Sequence, residues 1–267
     1  MQKEILAGKN LENIIVDTRD LTPEEHGELL CYPGTDLATF DSRVSQARSL
    51  GVEALVLEGD SKIGRFGVVG KGCVSAVVKA KLQGEKDLVA LKIRRVDANR
   101  PNMRRDFELQ SYANSFGVGP RAISFSDDFF AMEFVDSIKL GRWFQSLKTR
   151  SSKKYLRKIV RGTLEQCYKL DAQGLDHGEL SNPTKHVLIR KGTAETTIID
   201  FESSSRERKT MNVTAVAQFF FLGSSQSEKV RKILGLDEKK KLLSKLRSYK
   251  GKKDKDSFGD LLEALDC

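Results

Sequence analysis

The chain has 267 residues, enough for one large domain or two modest domains that each bury a core. Hydrophobic residues make up 39% and charged residues 31%, and no apolar run approaches the roughly 20 residues that cross a bilayer. The four cysteines have no paired spacing, which disfavours a disulfide framework or a metal site. The first ten residues have too short an apolar centre for a secretion signal, so we expect a cytoplasmic protein with no membrane partner.

The net charge of +9 is concentrated towards the C-terminus. Residues 226–255 hold twelve Lys/Arg and four Asp/Glu, which leaves the rest of the chain close to neutral. Leu242, Leu243 and Leu246 interrupt these charges at helical spacing. This pattern is typical of a solvated helix face, and the alternative is a contact with RNA or a ribonucleoprotein.

Residues 1–60 are predicted to form an N-terminal helical extension. Residues 22–25 supply a threonine cap, a proline at the first helical position and a capping-box glutamate, so a short helix should come next. A second helix is predicted over residues 36–50, and a strand over 54–57. This region carries no catalytic motif, and we expect it to pack against or extend the domain that begins near residue 61.

Glycine and valine dominate residues 66–78, which contain two β-prone runs bent around a glycine pair. A Walker loop and a dinucleotide fingerprint both require a helix after their glycines, and none is indicated here. A glycine turn between antiparallel strands is the phosphate-covering loop of protein kinases, and an ordinary hairpin is the alternative. The candidate nucleotide contacts are Gly70, Lys71, Gly72 and Ser75.

The next strand, residues 88–93, alternates so that Lys92 and Ala90 lie on the face opposite its large apolar residues. An isolated lysine in a strand is usually a solvated side chain. The Val-Ala-Leu-Lys sequence at this distance after a glycine hairpin is instead the kinase pattern, in which the lysine holds the α- and β-phosphates. Ala90 is small enough to let a flat ring approach.

A helix is predicted to begin at Pro101 and to run to about Ser115. Glu108 lies 16 residues after Lys92, and we expect the two to form an ion pair. Asp106 is the alternative partner. Glu108 ranks first because it stands nine residues before the glycine-rich segment that leads into the next strand.

That strand, residues 129–135, ends where a kinase has the hinge that binds adenine through its backbone. Glu133 and Val135 are the candidate adenine contacts. A helical region then begins at residues 140–147, and an amphipathic helix is predicted over 155–170.

The loop at residues 175–188 contains two histidines, two carboxylates, an amide and a proline. A second apolar strand, residues 198–201, carries Asp200. If the Gly192 turn joins the two strands, Glu179 and Asp200 lie on the same side of one hairpin. One carboxylate as base and one as Mg²⁺ ligand form the minimum set for phosphoryl transfer.

Asp200 is predicted to be the principal ligand of Mg²⁺ or Mn²⁺, because it ends a buried strand. The second ligand is Asn182 or His186. Mg²⁺ prefers oxygen to imidazole, which favours Asn182 on chemical grounds. Glu179 is then the candidate catalytic base, and Lys92 completes the catalytic set.

The order and spacing of these motifs resemble a protein kinase over about residues 60–222. The chain is similar to the small atypical kinases of archaea, such as the RIO kinases and the kinase of the tRNA-threonylcarbamoylation complex, and most narrowly to archaeal predicted serine/threonine kinases. The motifs that carry the wider resemblance are Gly70–Ser75, Lys92, Glu108, Met132–Val135, His177–Leu180 and Asp200. Those that carry the narrower one are Ala90–Arg95, Leu170–Asp171, Asp176–Leu180 and Ile199–Glu202.

The resemblance implies a two-lobed, kinase-like α+β fold. Residues 61–135 would form an N-lobe with a five-stranded antiparallel sheet, and residues 136–225 a reduced helical C-lobe. The extension at 1–60 and a basic helical tail at 226–267 would flank them.

The sequence departs from the kinase pattern at three points. Glu179 stands where the family has an aspartate base, and a misplacement of about 1 Å can cost on the order of 10²-fold in rate. The metal-binding asparagine of the family is not at its usual position. Counting from the candidate base, that position is Thr184, and taking the residue next to the following strand, it is His186. Glu202 replaces the glycine of Asp-Phe-Gly, and the segment after Asp200 is too short for a full substrate-docking lobe.

Two functions are therefore expected from this sequence. The first is ATP-dependent transfer to serine or threonine of a protein substrate, including self-phosphorylation. The second is a nucleotide-binding regulatory module or slow ATPase in an RNA-processing or ribosome-associated assembly.

Overall fold

The structure, a computed structural model, describes residues 14–147, 153–236 and 239–265. The chain divides into two compact units. Unit 1 comprises the residues up to Phe107 together with Ala122–Phe134, and unit 2 comprises Glu108–Arg121 and the residues from Val135 onwards. Within the described ranges, no helix is long and apolar enough to cross a bilayer. The N-terminal segment that bears on secretion lies outside the described residues.

Unit 1 is built on an antiparallel sheet. Its strands are β1 Ile14–Asp17, β2 Val52–Leu57, β3 Ser61–Ile63, β4 Phe66–Val68, β5 Gly70–Lys71, β6 Ser75–Leu82, β7 Val89–Arg94, β8 Ala122–Phe125 and β9 Phe129–Glu133. The main sheet has the order β1-β2-β6-β7-β9-β8, and β5 also pairs with β6. β3 and β4 form a separate two-stranded ribbon.

The predicted five-stranded sheet is too small, because the main sheet has seven strands in the described part of the chain. Two of the additional pairings come from residues 1–60, for which the sequence predicts a helical extension. β1 pairs with β2, and β2 pairs with β6. β2 is buried at five of its six positions. This strand is therefore an interior strand of the main sheet and not part of a separate extension.

The two helices predicted within residues 1–60 are confirmed. α1 spans Pro23–Leu30, and the side chain of Thr22 accepts a hydrogen bond from the Glu25 backbone N–H. α2 spans Leu37–Ser49 and is capped by Asp36. The apolar face of α2 packs into the same core cluster as the inward-facing residues of β2, β6 and β7.

A buried charge network lies within unit 1. The guanidinium of Arg43, fully buried, contacts Asp128 at 2.9 Å and also hydrogen-bonds the Leu30 carbonyl. Gln46 and Arg94 donate to the same Asp128 carboxylate at 2.9 and 2.8 Å. Burial alone would raise the pKa of Asp128, but Arg43 and the other donors outweigh it and hold the pKa below its ordinary value.

Unit 2 contains a helical core and a small three-stranded sheet. After α3 Arg104–Asn114, which has residues of both units, the elements are β10 Ser137–Lys139, α4 Leu140–Ser146, α5 Lys153–Ala172, β11 Val187–Arg190, β12 Thr196–Ile198, α6 Asn212–Gln218, α7 Ser227–Leu234, α8 Lys239–Lys252 and α9 Lys255–Ala264. α5 is the predicted amphipathic helix, with eight buried residues. α6 continues into one π-helical turn, Phe219–Gly223.

The basic C-terminal region belongs to the core of unit 2 and does not form a separate tail. α8 buries Leu242, Leu246 and Tyr249, and α9 buries Phe258 and Leu261, all within the core cluster that includes α5 and α6. The lysines of this region dominate its composition, but its apolar residues at helical spacing determine where it packs.

Candidate functional site

The glycine turn of unit 1 has the predicted antiparallel form. Gly70 pairs with Val77 across β5 and β6, and the Gly72 N–H donates to the Ser75 carbonyl at 2.9 Å. A Cβ atom added at Gly70 would meet no atom within 4 Å, so space is open above the backbone there. The Lys71 ammonium donates a hydrogen bond to the Lys62 carbonyl at 3.3 Å.

Lys92 lies in β7 with only 5% of its surface exposed. The alternation predicted for this strand is confirmed. Ala90 belongs to a small cluster with Met103, Phe130 and Met132 on one face, whereas the large apolar residues of β7 pack into the main core on the other. A lysine this deeply buried needs a counter-charge.

Asp106 supplies that counter-charge within unit 1. Its carboxylate lies 3.8 Å from Lys92 Nζ and 2.6 Å from the Arg100 guanidinium, and it is 2% exposed. Glu108, the partner ranked first from the sequence, is exposed and belongs to unit 2. Two residues along an α-helix turn the side chain by about 200°, which explains why burial favours Asp106. Pairing of Lys92 with Glu108 stays a prediction.

The two candidate adenine contacts belong to different units. Glu133 is the last residue of that strand and stands opposite Val89. Val135 is buried, and its carbonyl accepts a hydrogen bond from the Ser137 hydroxyl at 2.8 Å. Adenine binding by either residue stays a prediction.

In unit 2, the predicted hairpin places the polar loop and Asp200 together. β11 and β12 are antiparallel, with Val187 opposite Ile198, and the Ile199 N–H donates to the His186 carbonyl at 2.9 Å. His186 and Asp200 therefore lie at the same end of the hairpin. Asp200 has φ = 73°, a left-handed conformation that is rare for a residue with a side chain and is often found at functional sites.

Three side chains converge at this end of the hairpin. Glu179, His186 and Asp200 each offer one ligand atom, and these atoms all lie within 4.8 Å of one another. His186 Nε2 is 3.3 Å from Glu179 Oε2, and His186 Nδ1 is 3.9 Å from Asp200 Oδ2. The imidazole is therefore held between the two carboxylates, which are both partly exposed to solvent.

The two ring nitrogens of His186 have different surroundings. A proton on Nε2 would donate towards Glu179 and leave the lone pair of Nδ1 facing Asp200. Nδ1 is buried and makes no hydrogen bond within the described structure. A histidine that gives one N–H to a carboxylate and presents its other nitrogen is the usual arrangement of a metal-bound imidazole. A donor set of carboxylate oxygens and an imidazole nitrogen suits Mn²⁺ better than Mg²⁺.

Asn182 is the other candidate for the second metal ligand. Its side chain is exposed, and its amide oxygen accepts a hydrogen bond from the Thr184 hydroxyl at 2.7 Å. His186 is the residue that the hairpin brings next to Asp200. A role for Asn182 as a metal ligand stays a prediction.

His177 connects the loop to the strand that carries Asp200. It is fully buried, and its backbone N–H donates to Asn212 at 2.9 Å, while its Nε2 lies 3.0 Å from the Ile199 carbonyl. Burial lowers the pKa of His177 to about 4, so the ring is neutral at pH 7 and Nε2 donates to that carbonyl. This hydrogen bond links His177, in the loop that carries Glu179, to Ile199, the residue before Asp200.

Asp171 anchors this arrangement from α5. Its carboxylate accepts hydrogen bonds from the Asn212 side chain at 2.8 Å, from the Val213 backbone at 3.2 Å and from the Tyr249 hydroxyl at 2.9 Å. Burial raises the pKa of Asp171, and burial together with the Asp171 charge raises the pKa of Tyr249. Sequence reasoning assigns Asp171 no role and misses Asn212 and Tyr249, because no local pattern marks them.

Asp176 ties the following polar segment to the loop. Its backbone exchanges two hydrogen bonds with Ser205, at 2.9 and 2.8 Å, and its carboxylate accepts from Arg208 at 2.9 Å. Arg208 also donates to the Ser203 carbonyl at 2.6 Å. The segment after Asp200 is thus held against the loop by charge and backbone contacts.

Comparison with known proteins finds a partial similarity to one kinase. A mitogen-activated protein kinase kinase, MKK2, of Pyricularia oryzae is 29% identical over 178 residues, which are 58% of this chain and 33% of that protein. The uncharacterized protein MJ1211 of Methanocaldococcus jannaschii is 29% identical over 121 residues, 45% of this chain and 98% of that protein. The chain thus spans about a third of the fungal kinase and nearly all of the archaeal protein. No protein-family profile matches it.

Proposed function

We propose that the protein is an atypical kinase that transfers the γ-phosphoryl group of ATP to serine or threonine hydroxyls, its own included. The observation that carries this proposal is the convergence of Glu179, His186 and Asp200 at one end of a hairpin, with their ligand atoms within 4.8 Å of one another. The distant similarity to a kinase and the buried lysine that follows a glycine turn support it.

Asp200 and His186 are the proposed ligands of a divalent cation, with Mn²⁺ favoured by the imidazole. Such a cation, when bound, neutralises charge on the phosphates of the nucleotide. Lys92 is proposed to contact the α- and β-phosphates. Asp106, 3.8 Å from the Lys92 ammonium, supplies a counter-charge that offsets the cost of burying it.

Glu179 is the proposed base. One of its carboxylate oxygens faces His186, and the side chain is 40% exposed, so the carboxylate is accessible to a substrate hydroxyl. In the transfer step, the hydroxyl oxygen forms a bond to the γ-phosphorus, the bond to the ADP oxygen breaks, and the hydroxyl proton passes to Glu179. His186 orients the carboxylate for this step.

The second candidate is a nucleotide-binding module or slow ATPase. The contact between Glu179 and His186 favours it, because a glutamate that serves only to hold the imidazole leaves no base for a protein hydroxyl. For this candidate, the exposed lysines of α8 would contact RNA or a ribonucleoprotein.

The two candidates differ in where labelled phosphate goes. The purified chain would be incubated with γ-labelled ATP and either Mn²⁺ or Mg²⁺, with and without a generic protein acceptor. We expect labelled phosphoserine or phosphothreonine, more strongly with Mn²⁺. Release of free phosphate with no labelled protein would favour the ATPase. If neither labelled protein nor free phosphate forms, both enzymatic activities are rejected.

A further inference from the structure

An open groove lies in unit 2 between α6 with its π-turn on one side and α8 on the other. We call it the α6–α8 groove. Its volume is about 500 Å³, in the range of pockets that bind ligands. Its lining includes Ser181, Met211, Phe219, Leu243, Arg247 and Lys250.

The groove exposes apolar side chains that the fold does not cover. Met211 and Leu243 are 43% and 37% exposed, and Leu246 is buried. Phe219 and Leu222 come from the π-helical turn, a distortion that is frequent at functional sites. Contiguous exposed apolar groups with a polar rim are typical of a surface that binds a partner.

The charged residues that line the groove all have the same sign. Arg247 and Lys250 are both exposed on α8, and no acidic residue of the described chain lines the groove. An occupant should therefore combine apolar side chains with carboxylates. A single aromatic residue, Phe219, is too little for the base stacking that single-stranded RNA requires, so the lining favours a peptide over RNA.

The groove begins beside the candidate base. Ser181, which lines it, is two residues from Glu179, so their Cα atoms are at most about 7 Å apart. A peptide in the groove would thus place its neighbouring residues near the Glu179 carboxylate.

We infer that the α6–α8 groove docks an acidic, apolar segment of the protein substrate close to the hydroxyl that receives the phosphoryl group. This inference rests on the proposed function and names its substrate class. The groove would select hydroxyls flanked by leucine-like and glutamate-like residues through Leu243 and Met211 on the apolar side and Arg247 and Lys250 on the charged side.

Binding can be measured without nucleotide, by fluorescence polarisation of short labelled peptides with one central serine. The first peptide carries glutamates around a leucine, the second has lysines in place of the glutamates, and the third has serine in place of the leucine. A labelled oligouridine tests RNA. We expect the first peptide to bind at least about tenfold more tightly than the other three probes.

The double variant Arg247→Glu/Lys250→Glu should bind the first peptide about tenfold more weakly and prefer the lysine peptide. The matched control is Lys240→Glu/Lys252→Glu, which makes the same charge change at exposed α8 positions outside the groove. It should bind like the parent. Equal binding of all three peptides, tighter binding of RNA, or equal loss in the control would overturn the docking inference.

The same peptides, used as phosphate acceptors, separate the two proposals. Phosphorylation that does not change in the groove variant would overturn docking and leave the kinase proposal standing. Groove-dependent binding of the first peptide, with no phosphorylation of any acceptor, would overturn the kinase proposal and leave a peptide-docking surface.

Discussion

The imidazole of His186 lies 3.3 Å from the Glu179 carboxylate through Nε2, while its other nitrogen faces Asp200. The candidate base and the candidate metal ligand are therefore linked through one ring. A change in one of these groups should therefore alter the orientation of the other two, so the role of each residue has to be assigned from a measurement specific to that role.

The first prediction concerns the second metal ligand. His186→Asn should weaken Mn²⁺ binding by about tenfold or more and reduce the preference for Mn²⁺ over Mg²⁺, because an amide oxygen replaces an imidazole nitrogen. Calorimetry and Mn²⁺ electron paramagnetic resonance would measure both effects without turnover. Asn182→Ala is the matched comparison and should bind like the parent. Loss of binding in Asn182→Ala alone would show that the ligands are wrongly assigned.

The second prediction concerns Lys92. Lys92→Met should reduce ATP-dependent turnover by about 10²-fold or more, because a phosphate contact is lost, while methionine keeps the packing of the side chain. Circular dichroism would confirm an unchanged fold, and Arg100 would still neutralise Asp106. The control is Lys81→Met, an exposed lysine on β6. Unchanged turnover in Lys92→Met would remove the kinase proposal.

The third prediction separates the two acidic residues of α3. Asp106→Asn should destabilise the protein by about 3 kcal/mol, because it removes the charge of a buried carboxylate that contacts both Lys92 and Arg100. Glu108→Gln changes an exposed side chain and should cost less than Asp106→Asn. Urea unfolding measures both values. A larger loss in Glu108→Gln than in Asp106→Asn would contradict this account of Asp106.

The fourth prediction concerns acid sensitivity of unit 1. Because the folded-state pKa of Asp128 is below its ordinary value of 3.8, its ionised form contributes stability at higher pH, and this contribution is lost as pH falls below 3.8. Asp128→Asn should cost about 3 kcal/mol at neutral pH, since Arg43 then lacks its counter-charge. Urea unfolding of parent and variant should give curves that converge at low pH. A difference independent of pH would contradict this account of Asp128.

Local sequence signals predicted much of the fold. The threonine cap of α1, the alternation of β7 and the hairpin of β11 and β12 each depend on residues close in the chain. The same hairpin predicts that Glu179 and Asp200 lie close together. Strand alternation and a single turn determine that both residues lie on the same side of the hairpin.

Long-range contacts account for the features that the sequence did not predict. β1 joins the main sheet by pairing with a strand about 40 residues away, and nothing in its four residues specifies that partner. The Asp171 carboxylate receives Asn212 and Tyr249 from 41 and 78 residues away. Likewise, the contact of Asp106 with Lys92 depends on burial within unit 1, which spacing along the chain does not reveal.

The most direct test of the central proposal compares Glu179→Gln with the parent in phosphoryl transfer and in ATP binding. The amide keeps the shape of the side chain and its contact with His186, but it cannot accept the hydroxyl proton. We predict that labelled phosphate transfer to serine or threonine falls by about 10²-fold or more, while the ATP dissociation constant stays within about twofold of the parent. Transfer by Glu179→Gln at the parental rate would contradict the role of Glu179 as base and favour the nucleotide-binding module.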